Sequence, residues 1–281
     1  RLFHGADPIV GGVTWERQPV DPEPGPRSVV EIENATVLAP GVLAASGETA
    51  IRGSGVLFAE SRVAGLLGVP TVLVDVTLGP ARIADGIEAA AEAVSADLII
   101  FLDVGGDALA HGDEAGLGSP LCDAVMLAAA DILAERGVAV LGALFGTGCD
   151  GELTPSEVLE RLGEVAAADG LAGVVGLTPE VATLIERAVE IVPTEASAQA
   201  VRAFRGVRGE VPIRDGRRTV PLSPLAALTF FFLIPAAVRS AARLALAVRA
   251  AADLDEANAI LRSLGVRTEL DWEHNAQRKT D

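Results

Sequence analysis

At 281 residues, half of them hydrophobic, the chain carries enough apolar surface for one large α/β domain or two smaller ones and too much for a disordered segment. Its 22 basic against 39 acidic residues leave a formal charge of -17, which repels nucleic acid and anionic membrane alike, and no basic patch interrupts that balance. Two cysteines, Cys122 and Cys149, with neither CxxC spacing nor a matching pair of histidines, argue against a zinc site or a disulfide framework and point to a reducing, cytoplasmic setting.

Residues 1–8 (RLFHGADP) read as the tail of a helix, a glycine cap and a turn. A strand and loop would then precede them, and in α/β proteins such a loop often holds phosphate. Residues 8–15 (PIVGGVTW) form a predicted strand that runs through Glu16 and Arg17 into a proline-rich loop at 19–26. Residues 35–38 suggest a short strand and 47–55 a loop, while 59–67 have helical spacing with Gly68 as a cap. From there the pattern is regular: strand 71–76, helix 80–94, an apolar strand from Leu98 to Leu102, helix 120–136, strand 138–145, helix 155–168, strand 173–177 and helix 179–191. Strands alternating with helices at this spacing demand parallel pairing. Ser119-Pro120, Thr154-Pro155 and Thr178-Pro179 each put a hydroxyl at the N-cap and proline at the first helical position. In a parallel sheet these junctions gather on one edge, where helix N-termini favour anions.

Past Pro193 the rhythm breaks. A short helix at 195–204 and a turn at 206–209 lead to a hairpin, 210–213 with 219–222, across Arg214-Asp215-Gly216-Arg217. The apolar run 222–238 holds Phe230, Phe231 and Phe232 and is punctuated by Pro221, Pro224 and Pro235, which suits a buried core segment better than a membrane anchor. Alanine-rich helix follows to 252, a capping box at Asp253–Glu256 opens a helix to 264, and Gly265 ends it. Residues 266–273 alternate as a strand would, which would set Glu269, Asp271 and Glu273 on one wet face. The expected architecture is a three-layer, Rossmann-like α/β domain with a mainly parallel sheet over residues 1–206, lacking its first strand and loop. A helical C-terminal extension, 207–281, packs on the same domain.

The stretch 97–123 concentrates chemistry. A buried strand delivers Asp103 into a glycine-broken loop with Asp107, His111, Asp113 and Glu114, at the edge where α/β enzymes place their sites. These residues form a candidate acid/base set, and Asp103, Asp107 and Asp113 are the candidate ligands of Mg2+ or another hard divalent metal. The solvated loop of an acidic protein is the alternative. After the strand ending at Phe145, the run Gly146-Thr147-Gly148-Cys149-Asp150-Gly151 fits GxGxxG, but the helix begins only at Pro155 and no acidic ribose ligand follows. An anion-binding nest, aided by the capped helix starts at Ser119 and Thr178, or a tight turn, explains it better than a dinucleotide site. Cys122 at a helix start and Cys149 in the glycine loop are thiol candidates set against a buried, inert role. No GxSxG occurs, which disfavours a serine hydrolase.

From Val104 to Asp123 the run VGGDALAHGDEAGLGSPLCD resembles the signature of an uncharacterised family of archaeal and actinobacterial proteins, the domain of unknown function 1152. The likeness extends through 142–148, 171–180 and 265–271. It implies an α/β fold of the nucleotide- or phosphate-binding type and carries no established activity. The sequence therefore points to a metal-assisted enzyme on a small phosphorylated or nucleotide-like metabolite. The rival is a non-catalytic metabolite-binding or assembly protein, a homo-oligomer joined through an exposed apolar surface from Phe230 to Ile234.

Overall fold

The structure is a computed structural model that describes residues 6–277; the helix tail and glycine cap expected at 1–5 lie outside the described residues. Two four-stranded sheets share the fold. One runs in the order Gly11–Val13, Thr71–Val74, Val42–Ile51, Ile32–Ala39, and the other in the order Ile99–Val104, Val140–Phe145, Leu228–Phe232, Leu171–Gly176. Gly11–Val13 with Thr71–Val74 and Ile99–Val104 with Val140–Phe145 are the parallel pairs; the other pairings in these sheets are antiparallel. Both sheets are thus mixed, not mainly parallel.

Two stretches account for the difference. Residues 27–56 form a long hairpin, Ile32–Ala39 and Val42–Ile51, turning at Gly41 with φ +75°. The sequence shows only fragments of it because the outer strand alternates poorly and the inner strand is broken by the exposed Ser46-Gly47-Glu48. The second stretch is the phenylalanine run. Leu228–Phe232 enters the sheet antiparallel between Val140–Phe145 and Leu171–Gly176, so the region expected to be a helical extension supplies a central strand. Phe231, Phe232 and Ile234 are buried there, so that of the apolar stretch 230–234 only Leu233 stays exposed. The alternating close, 266–273, is a helix from Glu269 to Gln277 instead of a strand. Its period changes which carboxylates share a face, and both Glu269 and Glu273, four apart, are buried.

The helix Pro120–Glu135 is the hub of the main core. Leu121, Val125, Ala128 and Leu133 are sealed inside it, and its small alanines allow close approach of Pro80–Ala93 on one side and Ile234–Ser240, Arg243–Val248 and Leu254–Ser263 on the other. Helix starts at Pro120, Pro155 and Pro179 fall where the sequence puts them. A second, smaller core joins the hairpin Gly209–Ile213 and Arg218–Leu222 to the loop after Val140–Phe145, with Val211, Ile213, Val220 and Leu222 packed against Phe145 and Cys149. Among the described residues, no helix is long and apolar enough to cross a membrane.

Gly142 shows how tightly the inserted strand fits. A Cβ there would lie 2.0 Å from the nearest ring carbon of Phe232, so the ring occupies the space that the glycine leaves. Phe232→Ala should therefore lower the unfolding free energy by about 3–5 kcal/mol in urea titrations, as for other buried aromatic truncations. Gly142→Ala should also destabilise the protein, because it forces the ring out of its slot.

Candidate functional site

Asp103 stands at the carboxyl end of Ile99–Val104, in register with Leu144 on the next strand. Beyond it, Gly105 and Gly106 take φ values of +133° and +122°, conformations that side-chain-bearing residues rarely adopt. A Cβ on Gly105 would lie 2.3 Å from the carboxyl carbon of Asp150. That glycine thus lets the neighbouring loop press its aspartate against the backbone. The two loops are tied by Gly105 N–H to Phe145 O at 2.9 Å and Gly148 N–H to Gly105 O at 2.7 Å. A 3-10 turn, Asp107–Leu109, then buries Asp107, and the first turn of Pro120–Glu135 brings in Asp123.

Carboxylate oxygens of Asp103, Asp107 and Asp123 lie within 4.8 Å of one another, as do those of Asp107, Asp150 and Glu152. Asp107 belongs to both groups. Asp103 and Asp123 keep part of their surface open, whereas Asp107, Asp150 and Glu152 are buried. Oδ2 of Asp103 and Oδ1 of Asp150 are enclosed and meet no hydrogen-bond donor.

Burial, then the charges of Asp123 and Asp150, push the Asp103 carboxyl well above the usual carboxylate range, although N–H groups of Ala108 and Gly106 donate to it. Asp107 moves the same way, through burial and then Asp123, Asp103 and Asp150. Burial followed by Glu269 and Glu152 raises Asp123 to about 7, against the opposing effects of Arg17 and a hydrogen bond from Asp107. Asp150 also rises to about 7, through burial and Glu152. Like charges this close cannot all ionise, and the group titrates as a unit.

Glu152 is the exception. Burial opposes its charge, but Ser119 Oγ and the N–H groups of Gly118 and Ser119 donate to it at 2.7–2.8 Å, and Arg214 Nη2 at 3.1 Å; together they hold it below its ordinary value. The Ser119 hydroxyl is therefore a donor to Glu152 and not the helix cap that its position suggests. The free N–H groups of Leu121 and Cys122 go to Glu269, both at 2.9 Å. Glu269 also takes Arg17 Nη2 at 3.2 Å, and Arg17 lies over Trp15, whose Nε1 donates to Glu273.

The structure divides the expected site residues. Asp103, Asp107 and Asp150 come together. His111, Asp113 and Glu114 form a separate group: both Glu114 oxygens accept N–H groups of His111 and Gly112, and the imidazole is held between Glu164 at 2.9 Å and the Arg161 guanidinium. A cation side chain already stands in that group, and Asp113 is exposed. The glycine loop spends its amides on itself and on Gly105: Cys149 N–H goes to Gly146 O and Gly151 N–H to Gly148 O. What it presents is Asp150, while Gly146, Thr147 and Gly148 shape the turn. Thr178 caps its own helix at the end of Leu171–Gly176, across the inserted strand from the cluster.

Sequence reading missed Asp123, Glu152, Glu269, Arg17, Arg214 and Arg218 as site residues. Asp123 and Glu152 were legible in principle, one in the first turn of a helix at the site edge and the other two residues past Asp150. The remaining four meet the site only through tertiary contacts.

The four raised carboxyls bind more protons folded than unfolded, so their contribution to stability is fully present below pH 4 and is lost as the pH rises, through about 7 for Asp123 and Asp150. In chelator-treated protein, Asp150→Asn should raise the melting temperature at pH 8 and leave it unchanged near pH 4. Both thiols are buried, Cys122 pushed well up by burial and Asp123, and Cys149 raised to about 12 by burial and Asp150. Iodoacetamide at pH 8 should modify neither until denaturant is added.

Comparison with curated proteins and with solved structures finds no match to either. One family model, described as a protein of unknown function (DUF1152), matches residues 3–277, and the chain belongs to that family.

Proposed function

We propose that the chain is a metal-assisted enzyme for a small phosphorylated or nucleotide-like metabolite, with a hard divalent cation such as Mg2+ held by Asp103, Asp107, Asp123 and Asp150. The observation that carries this reading is the pair of enclosed carboxylate oxygens, on Asp103 and Asp150, that meet no donor. Buried acceptors without partners are rare and costly, and a cation is the partner that an all-oxygen, like-charged cluster lacks. The residue chemistry fits: neither sulfur nor imidazole contributes, and Asp107 stands in both carboxylate groups.

When bound, such a cation would polarise a phosphoryl oxygen and neutralise charge as it develops. The chain's own residues have distinct parts. Asp107 and Asp150 anchor from the buried side, while Asp103 and Asp123 face the open side, where a substrate arrives. Protons that burial and like charge keep on Asp107 and Asp123 would leave as the cation enters, because a neighbouring dication reverses the balance that keeps these groups protonated.

Calorimetry tests this directly. Wild-type protein should take up Mn2+ or Mg2+ with release of protons near pH 7, and saturating cation should raise the melting temperature. Asp107→Asn and Asp150→Asn should each weaken uptake at least about tenfold. Unchanged uptake in both variants would end the cation reading.

A further inference from the structure

The hairpin Gly209–Ile213 and Arg218–Leu222 is the least expected neighbour of the acidic cluster. Its inward face is fixed by Val211, Ile213, Val220 and Leu222, all buried, and Gly151 packs against it so closely that a Cβ there would meet Val220 Cγ1 at 3.1 Å. The tip turns through Arg214 and Asp215 in left-handed conformation, φ +51° and +55°. It is pinned by the Arg214 N–H to both carboxylate oxygens of Glu195, at 3.1 and 2.9 Å.

That anchoring sends two guanidinium groups toward the cluster. Arg214 Nη2 meets the buried Glu152 at 3.1 Å, and Arg218 Nη1 meets Gly151 O at 3.0 Å. Arg218 Nη2 lies 3.3 Å from where a Cβ on Gly118 would stand, which places it over the loop leading to Ser119. Each guanidinium has five N–H donors, and a single protein bond accounts for one of them in each case among the described residues. Arg214 also remains 40 % exposed. Two planar donor forks, only partly used, beside a cluster of carboxylates are an unusual placement of positive charge in a chain of net charge -17.

We infer that Arg214 and Arg218 are the phosphate-binding arm of this site, gripping a phosphate dianion that the cluster's cation holds from the other side. The inference rests on the cation reading above and adds to it the residues that recognise the substrate's anionic group. The charges require both partners. Asp103, Asp107, Asp123, Asp150 and Glu152 would repel a phosphate approaching alone, so the cation must come first. Arginine forks then match phosphate oxygens two at a time, which a lysine in their place would not do. Glu152 is a positioning residue here: fixed by Ser119 and Gly118, it holds Arg214 extended toward the cluster before any ligand arrives.

The test uses the full chain, with Mn2+ and inorganic phosphate as probes in calorimetry. Wild-type protein should bind phosphate only after Mn2+ is loaded. Arg214→Ala/Arg218→Ala should still take up Mn2+, although the lost Arg214–Glu152 pair lowers its melting temperature, and should lose at least about tenfold in phosphate affinity, the scale of a lost charge-assisted hydrogen bond. Arg208→Ala, which removes an exposed charge just before the hairpin, should bind phosphate as wild type does. If Mn2+ binds and phosphate does not, or if the double variant binds phosphate undiminished, the arm is not a phosphate site. An equal loss in Arg208→Ala would reduce the effect to net charge and overturn the inference as well. Failure of the wild type to take up Mn2+ would instead overturn the cation reading on which it rests.

Discussion

Repulsion between carboxylates that the fold forces together is the constraint around which this molecule is arranged. Four aspartates meet at the carboxyl ends of two adjacent parallel strands, where burial makes each charge harder to bear and each neighbour makes the next worse. Much of the surrounding structure answers that problem. Gly105 gives up a side chain so that Asp150 can reach the opposite loop, and Gly106 does the same for Val158. Glu152 is kept ionised by two amides, a hydroxyl and Arg214. Asp107 lies close enough to Asp123 to hydrogen-bond it. A cluster that were only structural would be relieved more simply by replacing one aspartate with asparagine.

The same logic explains the fate of the helix N-terminus at Pro120. Helix starts on the carboxyl edge of a sheet are places where a ligand's anion commonly sits. Here Glu269, from a helix near the end of the chain, takes the amides of Leu121 and Cys122, and Glu152 takes those of Gly118 and Ser119. Anion binding by backbone at this junction is already satisfied internally, and the two carboxylates that satisfy it are in turn met by side-chain cations, Glu269 by Arg17 and Glu152 by Arg214.

How much of this could be read from the sequence follows from where the information lies. Asp103, Asp107 and Asp150 were visible because each sits at the end of an apolar strand or in a glycine-marked loop, signals carried by adjacent residues. The alternation that located the strand-loop-helix junctions was equally local. Leu228–Phe232 was misplaced because a short apolar run reads alike as strand or buried helix, and because nothing nearby says which strands it will separate. His111, Asp113 and Glu114 were near the cluster in sequence but on a turn that folds back on Arg161 and Glu164. Glu269 looked like a residue on a wet strand because Glu269 and Glu273 share a face in either period, and only the helical one turns Asp271 away from them.

The inserted strand also sets an order for folding. Val140–Phe145 and Leu171–Gly176 leave the ribosome well before Leu228–Phe232, yet each has that strand as its neighbour in the sheet. Until it arrives, both expose unpaired backbone and apolar side chains, and pairing across so long an interval is slow compared with the local helices. The nascent chain therefore passes through a stage in which its helices can form while the centre of its second sheet cannot. In that interval its unpaired strand edges are most open to association with other chains.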